Sequence, residues 1–140
     1  GWLQELNRGS MPLIEIGQFI LNSGKESEFK LIADEFIRDN LDGLVYLIRR
    51  AVGPYGAVYG VPRGGCLLAN TLEQHSSREL LSTILVVDDV LTTGGSMKRA
   101  REYNAGRCEF IIGAVVFARG PCPMWITPLF QLPSSLFLKE

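Results

Sequence analysis

Largely apolar runs alternate with amphipathic stretches through most of the chain. The runs are rich in β-branched residues with little polar alternation, a pattern typical of strands buried on both faces of a parallel sheet. The strands predicted in this way span 57–61, 84–88 and 110–118, and the helices span 34–52, 66–74 and 96–104. Asp34 is expected to cap the first helix, and Gly53 with Pro54 to end it. The alternation predicts a three-layer α/β fold, with a mainly parallel sheet and helices on both faces.

The segments that flank this alternation carry weaker patterns. Phe29, Leu31 and Ala33 alternate with polar residues, which predicts two short extended pieces around a turn in 17–33. The stretch 126–132 contains a proline, which cannot donate a ladder hydrogen bond. It is therefore predicted to be an edge strand.

Size and composition limit the classes of protein to consider. With 140 residues, of which 46% are hydrophobic, the chain is expected to form one domain over 1–140. A formal net charge of -1, without a basic stripe, argues against a nucleic-acid partner. The longest apolar run, 110–118, is far shorter than the roughly 20 residues of a membrane span, so no membrane partner is expected.

The first residues and the cysteines bear on the location of the protein. Residues 1–10 lack the apolar core of a signal peptide, and they are either a native extension or derived from a tag. The three cysteines, Cys66, Cys108 and Cys122, have irregular spacing that fits reduced thiols better than a disulfide framework. A cytoplasmic protein is therefore expected.

The stretch 84–96 combines a buried strand, two adjacent carboxylates, a loop of small residues and the start of a helix. Glycines let the backbone approach a phosphate, and loop amides with the first helical turn favour an anion. The residues expected to bind this phosphate are Thr92, Thr93, Gly94, Gly95 and Ser96. Asp88 and Asp89 would repel a phosphate but suit ribose hydroxyls, a magnesium shell or positive charge on a sugar carbon. The alternative is a structural strand end with an Asx turn and a glycine-rich loop.

A second candidate anion loop follows the first predicted strand and consists of Pro62, Arg63, Gly64 and Gly65. Its glycines expose amides and Arg63 adds a guanidinium, although such a loop by itself is often a tight strand-to-helix turn. Further along, Arg119 follows the last long strand, at the sheet edge where open α/β sheets bind ligands. It either contacts a ligand or forms a surface ion pair.

Residues 84–96 resemble the phosphoribosyl diphosphate (PRPP) signature of type I phosphoribosyltransferases, and Pro62–Gly65 are similar to the diphosphate loop of that family. The segment 19–31 resembles the N-terminal segment of orotate phosphoribosyltransferases. The resemblance implies a Rossmann-like fold with a small hood from the N-terminal segment and the C-terminal tail, and a homodimer. It implies a transferase that joins a nucleobase to PRPP, with Asp88 and Asp89 as catalytic residues. Magnesium is then carried by PRPP, without direct protein ligands.

An orotate-like pyrimidine is the base that the resemblance favours. The contacts it implies for the base are Lys25, Phe29 and Arg119, and a solvated turn is the alternative for Lys25. In the orotate enzymes a mobile loop rich in Lys and Arg closes over the diphosphate from the neighbouring subunit. Here the connection 74–83 offers only Arg78.

This short connection leaves three functional alternatives. Either another segment supplies the closing charge and the protein is an enzyme, or it is a non-catalytic PRPP- or nucleotide-binding protein, such as a regulator. The third alternative is a generic phosphosugar-binding α/β domain.

Overall fold

The computed structural model describes residues 26–132, which form four helices and four strands. The helices are α1 (Glu26–Asp39), α2 (Leu41–Val52), α3 (Cys66–Glu73) and α4 (Gly95–Asn104), and a 3-10 turn spans Arg78–Leu80. The strands are β1 (Ala57–Gly60), β2 (Thr83–Leu91), β3 (Phe110–Ala118) and β4 (Ile126–Gln131).

The four strands pair in parallel in the order β1-β2-β3-β4. Helices α1, α2 and α3 pack on one face of this sheet through residues such as Phe36, Leu44 and Leu72. Helix α4 covers the other face through Met97 and Ala100. Since β2 and β3 are buried on both faces, their sequences are continuous apolar runs. The predicted α/β fold, with a parallel sheet between helical layers, is confirmed.

Strand β2 is longer than the predicted 84–88, and the acidic pair lies inside it. Pairing with β1 stops at Gly60, opposite Val87, whereas pairing with β3 continues to Leu91, opposite Ala118. The expectation that the two carboxylates mark the end of the strand is therefore wrong. They lie where β1 ends and β2 continues beside β3 alone.

The prediction of an extended piece up to residue 33 is also wrong in the described part. Phe29 lies on helix α1, and Asp34 lies in the middle of that helix instead of capping it. The face of α1 that packs on the sheet consists of Phe29, Ala33, Phe36 and Ile37. Their spacing is helical, whereas Leu31, which an alternating strand would bury with Phe29, is 69% exposed.

Asn40 divides the predicted helix 34–52 into α1 and α2. Its side-chain amide donates a hydrogen bond to the Phe36 carbonyl at 2.9 Å, and its own carbonyl accepts one from Leu44 N at 3.0 Å. A side-chain amide that competes for backbone carbonyls ends the first helix, and the second begins at the next residue. Gly53, with φ 78°, ends α2 as predicted.

The connection between α3 and β2 lies at the opposite edge of the sheet from the two glycine loops. Ser77 N donates to Tyr55 O at 2.8 Å, and a Cβ on Gly56 would collide with the backbone of Leu80. Both anchoring residues, Tyr55 and Gly56, precede β1. The connection and its Arg78 therefore stand at the amino ends of the strands, away from any ligand at the carboxyl ends.

The predictions for the edge strand and the cysteines are confirmed. Strand β4 is an edge strand with Pro128 inside it, as predicted. The three cysteines are free thiols, as predicted. Within the described part of the chain, no helix combines the length and the apolar character that crossing a bilayer requires. The hood segments before residue 26 and after residue 132, and Lys25, lie outside the described residues.

Candidate functional site

Asp88 and Asp89 lie next to each other in β2, with exposed fractions of 6% and 2%. Neighbouring residues of a strand point to opposite faces. Asp88 accordingly lines the cavity of the glycine loop before α4, and Asp89 interacts with a residue of α1. Each carboxylate accepts a hydrogen bond from the next backbone amide, over 2.8 Å from Asp89 N and 2.7 Å from Val90 N. These bonds hold both carboxyl groups against the strand.

Asp89 also shares hydrogen bonds with two other carboxyl groups, those of Asp88 and Asp34. Burial, helped by the hydrogen bond and the negative charge of Asp89, raises the pKa of Asp88 to about 8. Burial and then Asp89 likewise raise the pKa of Asp34, and the positive charge of Lys30 opposes both shifts. At neutral pH Asp88 therefore holds a proton, which lets it donate a hydrogen bond to its neighbour.

The loop after β1 packs directly against this acidic pair. It consists of Pro62, Arg63, Gly64 and Gly65, and its first peptide bond is cis. A Cβ on Gly64 would collide with the Asp89 carboxylate, and a Cβ on Gly65 would collide with the Val87 carbonyl group. Only glycine allows so close an approach of the backbone. The structure thus brings the predicted diphosphate loop into contact with the predicted catalytic residues.

The loop 92–96 surrounds a small cavity after the carboxyl end of β2. Gly94 adopts φ 87°, in the left-handed region that favours glycine, and is the N-cap residue of α4. Gly95 N donates to the Thr93 hydroxyl over 3.4 Å. The cavity measures about 30 Å³ and is lined by this loop and Asp88. A helix N-terminus, hydroxyl groups and a glycine backbone around one cavity can bind an anion.

Arg119 lies beside this loop at the end of β3, where its backbone N donates to Leu91 O at 2.8 Å. Its side chain is 8% exposed, and its guanidinium carbon is 5.9 Å from the centre of the Phe29 ring. Phe29 is itself buried, with its ring centre 5.7 Å from that of Phe117. Of the three residues predicted to contact a base, Arg119 is at the ligand edge and Phe29 supports it from the core. Lys25 is outside the described residues.

Two residues that were not predicted for this site lie in it. Asp34 reaches the carboxyl group of Asp89 from α1. Arg99 folds back along α4, with its Nη2 3.3 Å from the Ser96 hydroxyl. The spacing of three between Ser96 and Arg99 places them on one helix face, a signal that the sequence did contain. No such signal marked Asp34, because its helix was predicted to begin there.

Comparisons with known proteins bear on this geometry. No family model matches the chain. The orotate phosphoribosyltransferase of Methanothermobacter thermautotrophicus is 28% identical over 126 residues, which cover 71% of this chain and 70% of that protein. The crystal structure of orotate phosphoribosyltransferase from Aeropyrum pernix has a TM-score of 0.58 and 20% identity, and the match covers 73% of this chain and 76% of that one.

The chain resembles an orotate phosphoribosyltransferase in sequence and shares the type I phosphoribosyltransferase fold. The archaeal relative supports this in sequence, and the solved structure supports it in fold. The resemblance that the sequence motifs indicated is thereby confirmed.

Proposed function

We propose that this chain binds PRPP across the carboxyl edge of its sheet and transfers the phosphoribosyl group to a nucleobase, with diphosphate as the leaving group. One observation carries the proposal: a buried acidic pair lies between two separate glycine loops, 62–65 and 92–96. A ligand with an anionic group at each end and sugar hydroxyls between them matches that order of charges. PRPP has this layout.

Each part of the site has a distinct role in this proposal. The loop 92–96 holds the 5′-phosphate through amides and hydroxyls. The Gly64 amide, with the exposed Arg63 guanidinium, holds the diphosphate, whereas Gly65 N already donates to Val61 O at 2.8 Å and shapes the loop. Asp88 and Asp89 accept hydrogen bonds from ribose hydroxyls and stabilise positive charge that develops on the sugar carbon.

The proton held by Asp88 fits this chemistry. Burial raises the pKa of Asp88 to about 8 in the free protein. The proton that Asp88 then holds reduces repulsion between the buried carboxyl groups. Positive charge on the sugar favours the ionised form of Asp88. Asp88 is therefore negatively charged in the transition state, where it stabilises that positive charge. Displacement of diphosphate by the base requires no protein nucleophile.

Arg119 is the residue proposed to bind the base. Its guanidinium is almost buried at the end of β3 and rests on Phe29. A fork of N–H donors suits carbonyl or carboxylate oxygens, which an orotate-like pyrimidine carries. An orotate-like base is therefore the favoured substrate.

The donor set suits magnesium that PRPP brings with it. Within residues 26–132 no group of three or more His, Cys, Asp or Glu side chains is arranged to hold a metal ion. Asp88 and Asp89 each accept one backbone hydrogen bond. Their remaining lone pairs can accept hydrogen bonds from the groups that surround the ion. Diphosphate oxygens are ligands that magnesium prefers, and the bound ion would neutralise the charge of the leaving group.

A non-catalytic PRPP- or nucleotide-binding protein is the second candidate function. It is favoured by the connection 74–83, which is anchored at the amino edge of the sheet and so does not cover the site. Fast transfer requires water to be excluded from a reactive sugar cation, and a closing segment usually does this.

Diphosphate release from PRPP and magnesium, measured with orotate, uracil and purines in turn, separates the two functions. Release with one base supports the transferase, and PRPP binding without release for any base supports the binder. The double variant Asp88→Asn/Asp89→Asn should abolish nucleotide formation while circular dichroism stays unchanged. Asp42→Asn, an exposed aspartate on α2, is the matched control and should retain full activity. Unchanged turnover in the double variant would refute the site assignment.

A further inference from the structure

Arg99 is a cation that the structure directs at the proposed 5′-phosphate loop. Its Nη2 lies 3.3 Å from the Ser96 hydroxyl oxygen, and its Nη1 lies 3.3 Å from the position that a Cβ would take on Gly95. The long side chain thus folds back over the first turn of its own helix, α4. Across the part of the chain that the structure describes, its hydrogen bond to Ser96 is its one polar contact, and no carboxylate neutralises it.

An open groove lies on the outer side of Arg99. This groove has a volume of about 340 Å³, and its walls include Tyr59, Pro62, Ser96, Arg99 and Tyr103. It runs between both glycine loops, because Pro62 belongs to the first and Ser96 to the second. Arg99 therefore borders this groove on the side of α4, next to Ser96.

The hydrogen bond between these two side chains also orients the hydroxyl of Ser96. Since the oxygen of Ser96 accepts from Arg99, the hydroxyl proton is left to donate to an anion. Ser96 borders both the groove and the small cavity of the loop 92–96. Arg99 can thus act on an anion in that cavity directly and through the hydroxyl of Ser96.

We propose that Arg99 is a phosphate-binding residue that closes the 5′-phosphate cavity from the groove side. The inference rests on the proposed function and extends it. Arg78, the arginine in the short connection 74–83, stands at the opposite edge of the sheet and cannot take this part. Arg99 supplies the positive charge that a closing segment would otherwise bring to this end of the ligand.

Calorimetric titration with ribose 5-phosphate and with PRPP tests this assignment. Arg99→Ala should raise the Kd for both ligands by about tenfold, as expected for loss of a charged hydrogen bond to phosphate. Arg99→Lys keeps the charge but loses the planar fork and should raise Kd by about threefold. Lys98→Ala, which removes an exposed charge from the other side of α4, is the matched control and should change Kd by less than about twofold.

Each contrary outcome has its own meaning. If wild-type protein binds neither ligand, the proposed function fails and the inference fails with it. If wild type binds both and Arg99→Ala binds as Lys98→Ala does, the assignment of Arg99 alone is wrong. A loss restricted to PRPP would place Arg99 at the diphosphate and would also refute it. Thermal melting of each variant checks that the fold is retained.

Discussion

The buried carboxyl of Asp88 should make the protein less stable as the pH rises, the reverse of a salt-bridged aspartate. Its pKa is about 8 in the folded chain, against the ordinary aspartate value of 3.8 in the unfolded chain. The folded state therefore binds more protons between these two values. By linkage, the contribution of Asp88 to the free energy of unfolding is greatest below about pH 4 and is lost progressively up to about pH 8.

The size of the effect follows from the same two pKa values. At about 1.4 kcal/mol for each tenfold change in proton affinity, the upper limit is about 6 kcal/mol. The hydrogen bonds around Asp88 can rearrange and water can enter when it ionises, which reduces the cost. We expect a loss of about 2 to 4 kcal/mol between about pH 5 and pH 8.

Asp88→Asn removes the titration and keeps the shape of the side chain. The amide oxygen can still accept the hydrogen bond from Asp89 N, and the NH₂ group can replace the proton that Asp88 donates to its neighbour. Urea unfolding is measured near pH 5, 6, 7 and 8. The free energy of unfolding of the variant, relative to that of wild type, should increase with each rise in pH. Asp42→Asn, on exposed α2, should run parallel to wild type. If the Asp88→Asn curve also stays parallel to wild type, the buried protonated carboxyl is refuted.

Two further predictions concern the loops and the ligand-linked proton. Gly64→Ala should weaken PRPP binding by about tenfold or more and lower the melting temperature, because its Cβ would strike the Asp89 carboxylate. Gly95→Ala should lower the melting temperature far less, since its Cβ would come within 3.3 Å of the flexible Arg99 side chain and 3.6 Å of the Thr93 hydroxyl; equal losses of melting temperature would contradict the packing. PRPP binding near pH 7 should release a proton from Asp88, seen as a heat that depends on the ionisation enthalpy of the buffer; identical heats in all buffers would contradict it.

The features that the sequence predicted well are those with a local physical cause. Strands β2 and β3 are buried on both faces, so that continuous apolar runs follow directly. Gly64 and Gly94 reflect two local demands, the approach of backbone to a carboxylate and a positive φ. These patterns were sufficient to predict the fold and both loops of the candidate site.

The features that the sequence did not predict depend on tertiary packing. Phe29 and Ala33 fit a strand and a helix equally well, and only packing against β2 and β3 selects the helix. The position of Asp34 beside Asp89 depends on that helix, and so the sequence pattern did not predict it either. The spacing of three places Arg99 on the same helix face as Ser96, but the fold-back of its side chain over Ser96 is a rotamer choice that spacing alone does not determine.

The distribution of charge in the site bears on whether it binds or turns over its ligand. The carboxyl groups of Asp88 and Asp89 are buried beneath the ligand edge, whereas the guanidinium groups of Arg63 and Arg99 are exposed around it. Buried carboxylates act in a low dielectric and are suited to stabilise a sugar cation, while exposed arginines are screened by water and chiefly contribute affinity. Under the proposed function, the described residues would therefore strongly stabilise the reacting carbon but only weakly exclude water. Such a site would transfer the phosphoribosyl group to a base that itself covers the pocket by binding against Arg119. With a smaller base, water would reach the sugar and PRPP would be hydrolysed.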